Sequence, residues 1–212
     1  MIEEYEDNYL ENIIHGNEVK RTEDIATAAR NYLCRSFQAS KMAERKFDYF
    51  QRIKKEQELI LEQLCSENNW WFLNLTQYNF LTEGGESKIY FKDKSNYVLK
   101  LNDAVYYNTW LDFLNNILLH NYYFPTTKYT LLGFTKIKDI FYAVLEQPFV
   151  SSKQITDLDT VKQFLDANGF INSKRFDYIN PEVGIAIEDL HDENVLTVDD
   201  NLFFIDTIFL LK

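Results

Sequence analysis

The hydrophobic period of the chain changes near residue 72. Before that point apolar residues recur three and four apart: Ile25, Ala28, Ala29, Leu33 and Phe37, then Met42, Phe47, Phe50, Ile53, Ile60, Leu61 and Leu64. This spacing predicts amphipathic helices over 22–38 and 39–66, each with an apolar stripe and a solvated face. Residues 1–72 therefore read as a helical region. Beyond Trp70-Trp71-Phe72 the period shortens, and strands are predicted at 78–83, 87–92 and 96–101. Thr82-Glu83-Gly84-Gly85-Glu86 and Asp93-Lys94-Ser95-Asn96 supply the turns between them.

A helix is predicted over 104–120, with Tyr107, Trp110, Leu111, Leu114, Ile117 and Leu118 as its apolar face and Asn121 as its stop. A strand pair at 128–137 and 140–147 follows. Next comes a helix from Thr156, its candidate N-cap, to Asn168 and Gly169. The chain then offers a strand at 183–188 and a hairpin of 194–198 and 202–209 that turns at Asp199-Asp200-Asn201. Helices and strands are segregated, which is the α+β class. No Gly/Pro-rich linker separates the two expected regions, 1–72 and 73–212.

Composition narrows the function classes. The net charge of −11 repels a phosphate backbone, so it argues against nucleic-acid binding and against docking on an anionic membrane. It does not exclude ATP, because a local lysine and Mg²⁺ can offset phosphate charge. No apolar run is long enough to span a bilayer, and the acidic start Met1-Ile2-Glu3-Glu4 lacks the apolar stretch of a signal peptide. The two cysteines, Cys34 and Cys65, have no zinc-like spacing; they read as reduced thiols of a cytoplasmic protein, with one disulfide as the alternative. Lys and Arg cluster between 41 and 55 but alternate with acids, so that helix either packs on the rest of the protein or recruits a partner.

The chemistry concentrates near the end. In Asp189-Leu190-His191-Asp192-Glu193-Asn194 an Asp precedes an Asn by five residues, and a second Asp follows at Phe203-Phe204-Ile205-Asp206. Asp189 can orient or deprotonate an attacking hydroxyl. Asn194 and Asp206, at one end of a tight hairpin, are hard oxygen ligands suited to Mg²⁺. A carboxylate in so apolar a segment needs a partner or a metal. Three further segments complete the picture. Gly84-Gly85 with Ser87 forms a turn through which backbone amides can approach phosphates. Lys100 ends the apolar strand Tyr97-Val98-Leu99-Lys100 and either meets phosphates or stands exposed. Glu146-Gln147-Pro148-Phe149 leaves a strand where an adenine ring could dock; Pro148 lacks an amide hydrogen, so Phe149 is the candidate donor.

In this order the segments resemble the protein-kinase-like fold over roughly residues 78 to 212. The Gly84 turn looks like the kinase Gly-rich loop, with Ser87 at its third glycine. Val98-Leu99-Lys100 looks like the strand of the nucleotide lysine, Asp189–Asn194 like the catalytic loop, and Ile205-Asp206-Thr207 like the metal-binding segment. Leu119-His120-Asn121, Phe124-Pro125, Glu146-Gln147-Pro148-Phe149-Val150 and Glu188–Leu196 are similar to the kinase-like domains of bacterial polyvalent proteins, carried by phages and conjugative elements.

The resemblance implies an ATP- and Mg²⁺-dependent transfer of phosphate to a hydroxyl of a protein or small molecule. Catalytic roles would fall to Asp189, His191 and Lys100. Nucleotide contacts would fall to Gly84, Gly85, Ser87, Lys100, Glu146, Gln147 and Phe149, and metal ligation to Asn194 and Asp206. The sequence also departs from the pattern. Ile187-Glu188 replaces His-Arg before Asp189, and His191 stands where protein kinases place a lysine. The helix expected at 104–120 has Asp112 as its only acid, and no Glu to pair with Lys100. The chain ends shortly after Asp206, so the expected fold is a truncated kinase supported by N-terminal helices. A nucleotide-binding pseudokinase that recruits partners is the alternative, and an acidic association module without nucleotide is a third reading.

Overall fold

Helices Tyr9–Ile14 (α1), Ile25–Phe37 (α2) and Phe47–Asn68 (α3) precede the first strand. The computed structural model describes residues 8–20, 24–37, 47–85 and 87–212. The opening of the helix expected over 39–66, with Met42, the edges of the one expected over 22–38, and Glu86 of the Gly-rich turn lie outside them. One buried side chain ties the helices together. Arg30 of α2, with no exposed surface, donates to the carbonyls of Asn12, Ile13 and Asn17 and to Asn115 Oδ1. Each bond offsets part of the desolvation of a guanidinium.

Strands Asn79–Glu83 (β1), Ser87–Phe91 (β2), Tyr97–Asn102 (β3), Thr130–Ile137 (β4) and Ile140–Pro148 (β5) form an antiparallel sheet of order β1-β2-β3-β5-β4. Its register sorts the side chains. Lys100 lies opposite Ile89 and Leu145, and Val98 opposite Phe91 and Gln147, so these residues share one face. Leu99, Leu101, Tyr142 and Val144 occupy the other, where Phe72, Leu75 and Tyr78 cover them. The inner face belongs to a larger core, which also takes Ile13, Leu33 and Leu61 from α1–α3.

The sheet is fastened to the helices at Gly133. Phe134 N donates to Trp70 O at 2.9 Å, and Phe72 N to Phe134 O at 2.7 Å. Gly133 forms a bulge at φ +142°, and a Cβ placed there would stand 2.2 Å from the Trp70 carbonyl oxygen. Two backbones meet with no flexible atom to give way. Gly133→Ala is expected to lower stability by about 2–3 kcal/mol. Urea denaturation against Gly84→Ala, whose Cβ would meet nothing within 4 Å, checks it.

Helix Trp110–Tyr123 (α4) begins later than the predicted 104–120. Ala104 takes φ +57°, which ends any helical path there. Thr109 is the N-cap, accepting from Asp112 N at 3.1 Å and donating to Asp112 Oδ2 at 2.8 Å. Asn121 does not stop it; its amide instead brackets the backbone of Tyr129, and Pro125 follows the true end. Helix Leu158–Ala167 (α5) is capped by Asp157 rather than Thr156, whose hydroxyl donates to Val195 O.

The C-terminal part holds two further sheets. Strands Ile171–Lys174 (β6), Asp177–Asn180 (β7), Ile185–Glu188 (β8) and Ile208–Leu211 (β11) give the order β11-β8-β7-β6, while Val195–Val198 (β9) pairs with Asn201–Phe204 (β10). The β6–β7 hairpin was not predicted, because four-residue strands carry too little alternation to read. The predicted strand 202–209 is broken. Phe204 and Phe209 are both buried in one core, yet five residues apart in a continuous strand they would face opposite ways. The break over 205–207 resolves that conflict and sends the two halves to different sheets. The β9–β10 turn uses only Asp199 and Asp200, both at positive φ. Cys34 and Cys65 are buried thiols, and burial pushes the Cys65 thiol up to about 12.

Candidate active site

The break between β10 and β11 is where the chemistry collects. Asp206 is not in a strand, as predicted, but at the corner between two. Lys100 is neither exposed nor at a strand end: it lies inside β3, is 5% exposed, and points from the inner sheet face. Its Nζ reaches Asp206 Oδ1 at 2.6 Å and the Ile205 carbonyl at 3.2 Å. Residues 106 apart in sequence thus form an ion pair, buried on the lysine side and open on the other, where the Asp206 side chain is 36% exposed. Asp112, the only acid of α4, is committed to its own N-cap, and burial raises its carboxyl above the usual range.

The acidic loop is organised by its own hydrogen bonds. Asp189 takes φ +67°, a conformation that Asp tolerates better than most residues. Asn194 Nδ2 donates to Asp189 O at 2.9 Å and Oδ2 at 3.0 Å, which leaves the amide oxygen as the atom able to meet a cation. The Glu193 amide donates to His191 Nδ1 at 3.2 Å, and His191 Nε2 stands 3.5 Å from Asp189 Oδ1 and 3.2 Å from Asn194 Nδ2. Asn194 and the corner are joined directly, since Ile205 N donates to Asn194 O at 2.9 Å. That bond continues the β9–β10 ladder by one step and carries Asn194 to the end of the hairpin that leads into Asp206.

A cleft of about 510 Å³ lies between the β1–β2 turn and this loop. Gly84, Gly85, Ser87, Asp189, His191, Asn194 and Asp206, all expected from the sequence, line it. So do Thr82, Glu83, Ile89, Tyr106, Glu193 and Ile208, which were not expected. Tyr106 had no signal beyond its exposure; its hydroxyl would stand 2.9 Å from a Cβ at Gly85.

The expected base-binding residues do not line this cleft. Glu146 lies opposite Leu99 and so on the outer sheet face. The Gln147 amide is buried and donates to Thr127 O at 2.8 Å. The Phe149 amide, the candidate donor, gives its hydrogen to Asn96 O at 2.8 Å. The Phe149 ring does line a second hollow of about 530 Å³, together with Leu81, Phe91 and Val98.

Among the described residues no group of three or more His, Cys, Asp and Glu side chains is arranged to hold a metal. Asn194 and Asp206 offer two hard oxygens. That suits Mg²⁺, which takes one or two protein ligands and completes its shell with water and phosphate oxygens. Among the described residues no helix is long and apolar enough to cross a membrane.

A family model described as "Serine/Threonine/Tyrosine Kinase found in polyvalent proteins" matches residues 54–212. The match starts inside α3 and takes in every residue of the cleft. No curated protein matches the chain.

Proposed function

The chain belongs to the family of serine/threonine/tyrosine kinases found in polyvalent proteins, and on that premise we propose that it transfers the γ-phosphate of ATP to a hydroxyl acceptor in the cleft between Gly84 and Asp189. The observation that carries the reading is the 2.6 Å contact of Lys100 with Asp206 beside that cleft. A buried cation and a half-open carboxylate, set under a glycine turn, are what a polyphosphate and its metal need. The five-stranded sheet would be a kinase-like upper lobe and the C-terminal sheets a reduced lower one.

In this reading the base lies in the hollow of Leu81, Phe91, Val98 and Phe149, because Phe91 and Val98 share the sheet face from which Lys100 projects. Apolar side chains there provide contact area, and with the amides of Gln147 and Phe149 committed, Lys92, Asp93, Lys94 and Ser95, which also line the hollow, are the groups left to hydrogen-bond the base. The phosphates run beneath Gly84, Gly85 and Ser87 toward Lys100. Asn194 and Asp206 would hold Mg²⁺, whose charge would offset that of the phosphates. Asp189, kept in place by Asn194 and His191, accepts the acceptor's hydroxyl proton. The acceptor oxygen bonds to the γ-phosphorus as the bridging P–O bond breaks, and ADP leaves with the electron pair. Catalysis rests on positioning and on charge stabilisation.

Asp189→Asn is expected to lower turnover by about 10²–10⁴-fold. It should leave the Mg²⁺- and ATP-dependent rise in melting temperature intact. A phosphate-release assay beside a thermal melt checks both, and full turnover in the variant rejects the assignment. Asp112, the one acid of α4, is turned to its own N-cap and not to Lys100, which favours a second reading, a nucleotide-binding pseudokinase. Its signature is ATP-induced stabilisation with no turnover in the parent chain.

A further inference from the structure

Lys100 and Asp206 need something to hold them, and α4 supplies no carboxylate for the task. The backbone around Asp206 is instead gripped from one side by α4 and the segment after it. Thr127 Oγ1 donates to the Phe204 carbonyl at 2.5 Å. The Tyr129 hydroxyl donates to the Ile205 carbonyl at 2.6 Å and lies 3.3 Å from Asp206 Oδ1. His120 Nδ1 meets Thr207 Oγ1 at 2.8 Å. Each of the two residues before Asp206, and the one after it, is therefore pinned by a different side chain.

Tyr129 is the centre of this arrangement. Its ring carries Lys100 Nζ at 5.6 Å from the centroid, within cation–π range, while its hydroxyl addresses the lysine's partner. The same residue thus touches both ends of the ion pair. The ring is itself held, with the His120 ring centroid 4.5 Å away. His120 is fixed in turn by Thr127 O, which accepts from Nε2 at 3.0 Å. A carbonyl cannot donate, so Nε2 bears the hydrogen and neutral His120 Nδ1 accepts from the Thr207 hydroxyl.

We propose that Tyr129, braced by His120, is the positioning residue for the Lys100–Asp206 pair, doing here the orienting work that no acid of α4 performs. The inference rests on the phosphotransferase reading for its consequence in turnover, but not for its geometry. The Tyr129→Phe variant separates the two, since it removes one oxygen and keeps the ring, the cation–π contact and the packing. Ile205 O keeps Lys100 as a donor, so the variant should fold.

Two measurements are made on the full chain. The first is steady-state turnover of MgATP, where the expected loss is about 10–100-fold in kcat with KM for ATP within about threefold. The second needs no nucleotide: acylation of each lysine by an amine-reactive ester, followed by mass spectrometry. Asp206 is freed to turn away from Lys100, so Lys100 should label about fivefold faster, the ratio matching one lost hydrogen bond. The other lysines should keep their rates. A purely packing role for Tyr129 would leave Lys100 labelling unchanged, and that result together with parental kcat overturns the proposal. A parent chain without turnover, whose Tyr129→Phe variant still exposes Lys100, rejects the phosphotransferase and keeps the clamp. A parent chain that turns over with an unaffected variant does the reverse.

Discussion

Asp206→Ala is expected to abolish phosphoryl transfer and to destabilise the fold, whereas Lys100→Met should abolish transfer and leave stability unchanged or raised. The asymmetry follows from burial. Lys100 is 5% exposed and its ammonium has left water for two acceptors, Asp206 Oδ1 and Ile205 O. Removing the carboxylate strands that charge, at a cost of about 3 kcal/mol, because a buried ion without its counter-ion keeps its desolvation penalty. Removing the lysine strands nothing. The Asp206 side chain is 36% exposed and can be hydrated, and the Ile205 carbonyl retains the Tyr129 hydroxyl. A methionine of similar length refills the volume with apolar contact.

In turnover the two variants should look alike, each losing about 10³-fold or more, since both remove charge stabilisation at the transferred group. Urea midpoints and single-turnover phosphate transfer, measured side by side, test the pair. Equal destabilisation by both variants would mean that the lysine is better solvated than its burial indicates.

Stability should also fall steeply as the solution is acidified through the His120 range. The imidazole has no exposed surface, and burial lowers its pKa from 6.5 to about 4; the positive charge of Lys100 adds to the effect, while the Thr127 carbonyl and Asp206 oppose it. The unfolded chain takes up a proton on His120 near pH 6.5, but the folded chain only near 4. Between those values the unfolded state binds more protons, so stability rises with pH and is lost on acidification. The slope is about 1.4 kcal/mol per pH unit and the full loss about 3 kcal/mol, complete once pH falls below the folded value.

Unfolding free energies from pH 7 to 4, compared with His120→Gln, isolate this contribution. The glutamine variant starts from a lower stability but should show a shallower slope in that window. A parallel slope in the two proteins would place the acid sensitivity in other groups. The consequence for the site is direct, because a charged His120 keeps Thr127 O and Thr207 Oγ1 as acceptors but places an unsolvated charge beside the Asp206 corner.

What the amino-acid order determined alone is local. The period change near residue 72, the stripes of α2 and α3, and the alternation of β1 to β5 record which faces seek a core, and periodicity is a property of neighbours. The acidic loop was legible for a related reason: Asp189, His191 and Asn194 bond mainly to one another and to the loop's own backbone, so their spacing carries their geometry. Gly84, Gly85 and Ser87 were readable because a turn between strands announces itself in glycine.

The remainder depended on which strands became neighbours. The pairing of Lys100 with Asp206, the grip of Tyr129 and His120 on the corner, and the bonds that occupy the Gln147 and Phe149 amides all join residues far apart in sequence. The broken strand at 205–207 is the sharpest case. Read in line, Phe203-Phe204-Ile205 and Ile208-Phe209 are apolar on both sides of Asp206-Thr207, and two polar residues without Gly or Pro do not by themselves distinguish a break from a strand that runs on. Phe204 stacks on Phe124 at 4.0 Å and Phe209 on Tyr123 at 5.5 Å, adjacent residues at the end of α4. Satisfying both contacts requires the backbone to turn between them. That turn, forced by packing, sets Asp206 outside the ladder and free to face the lysine.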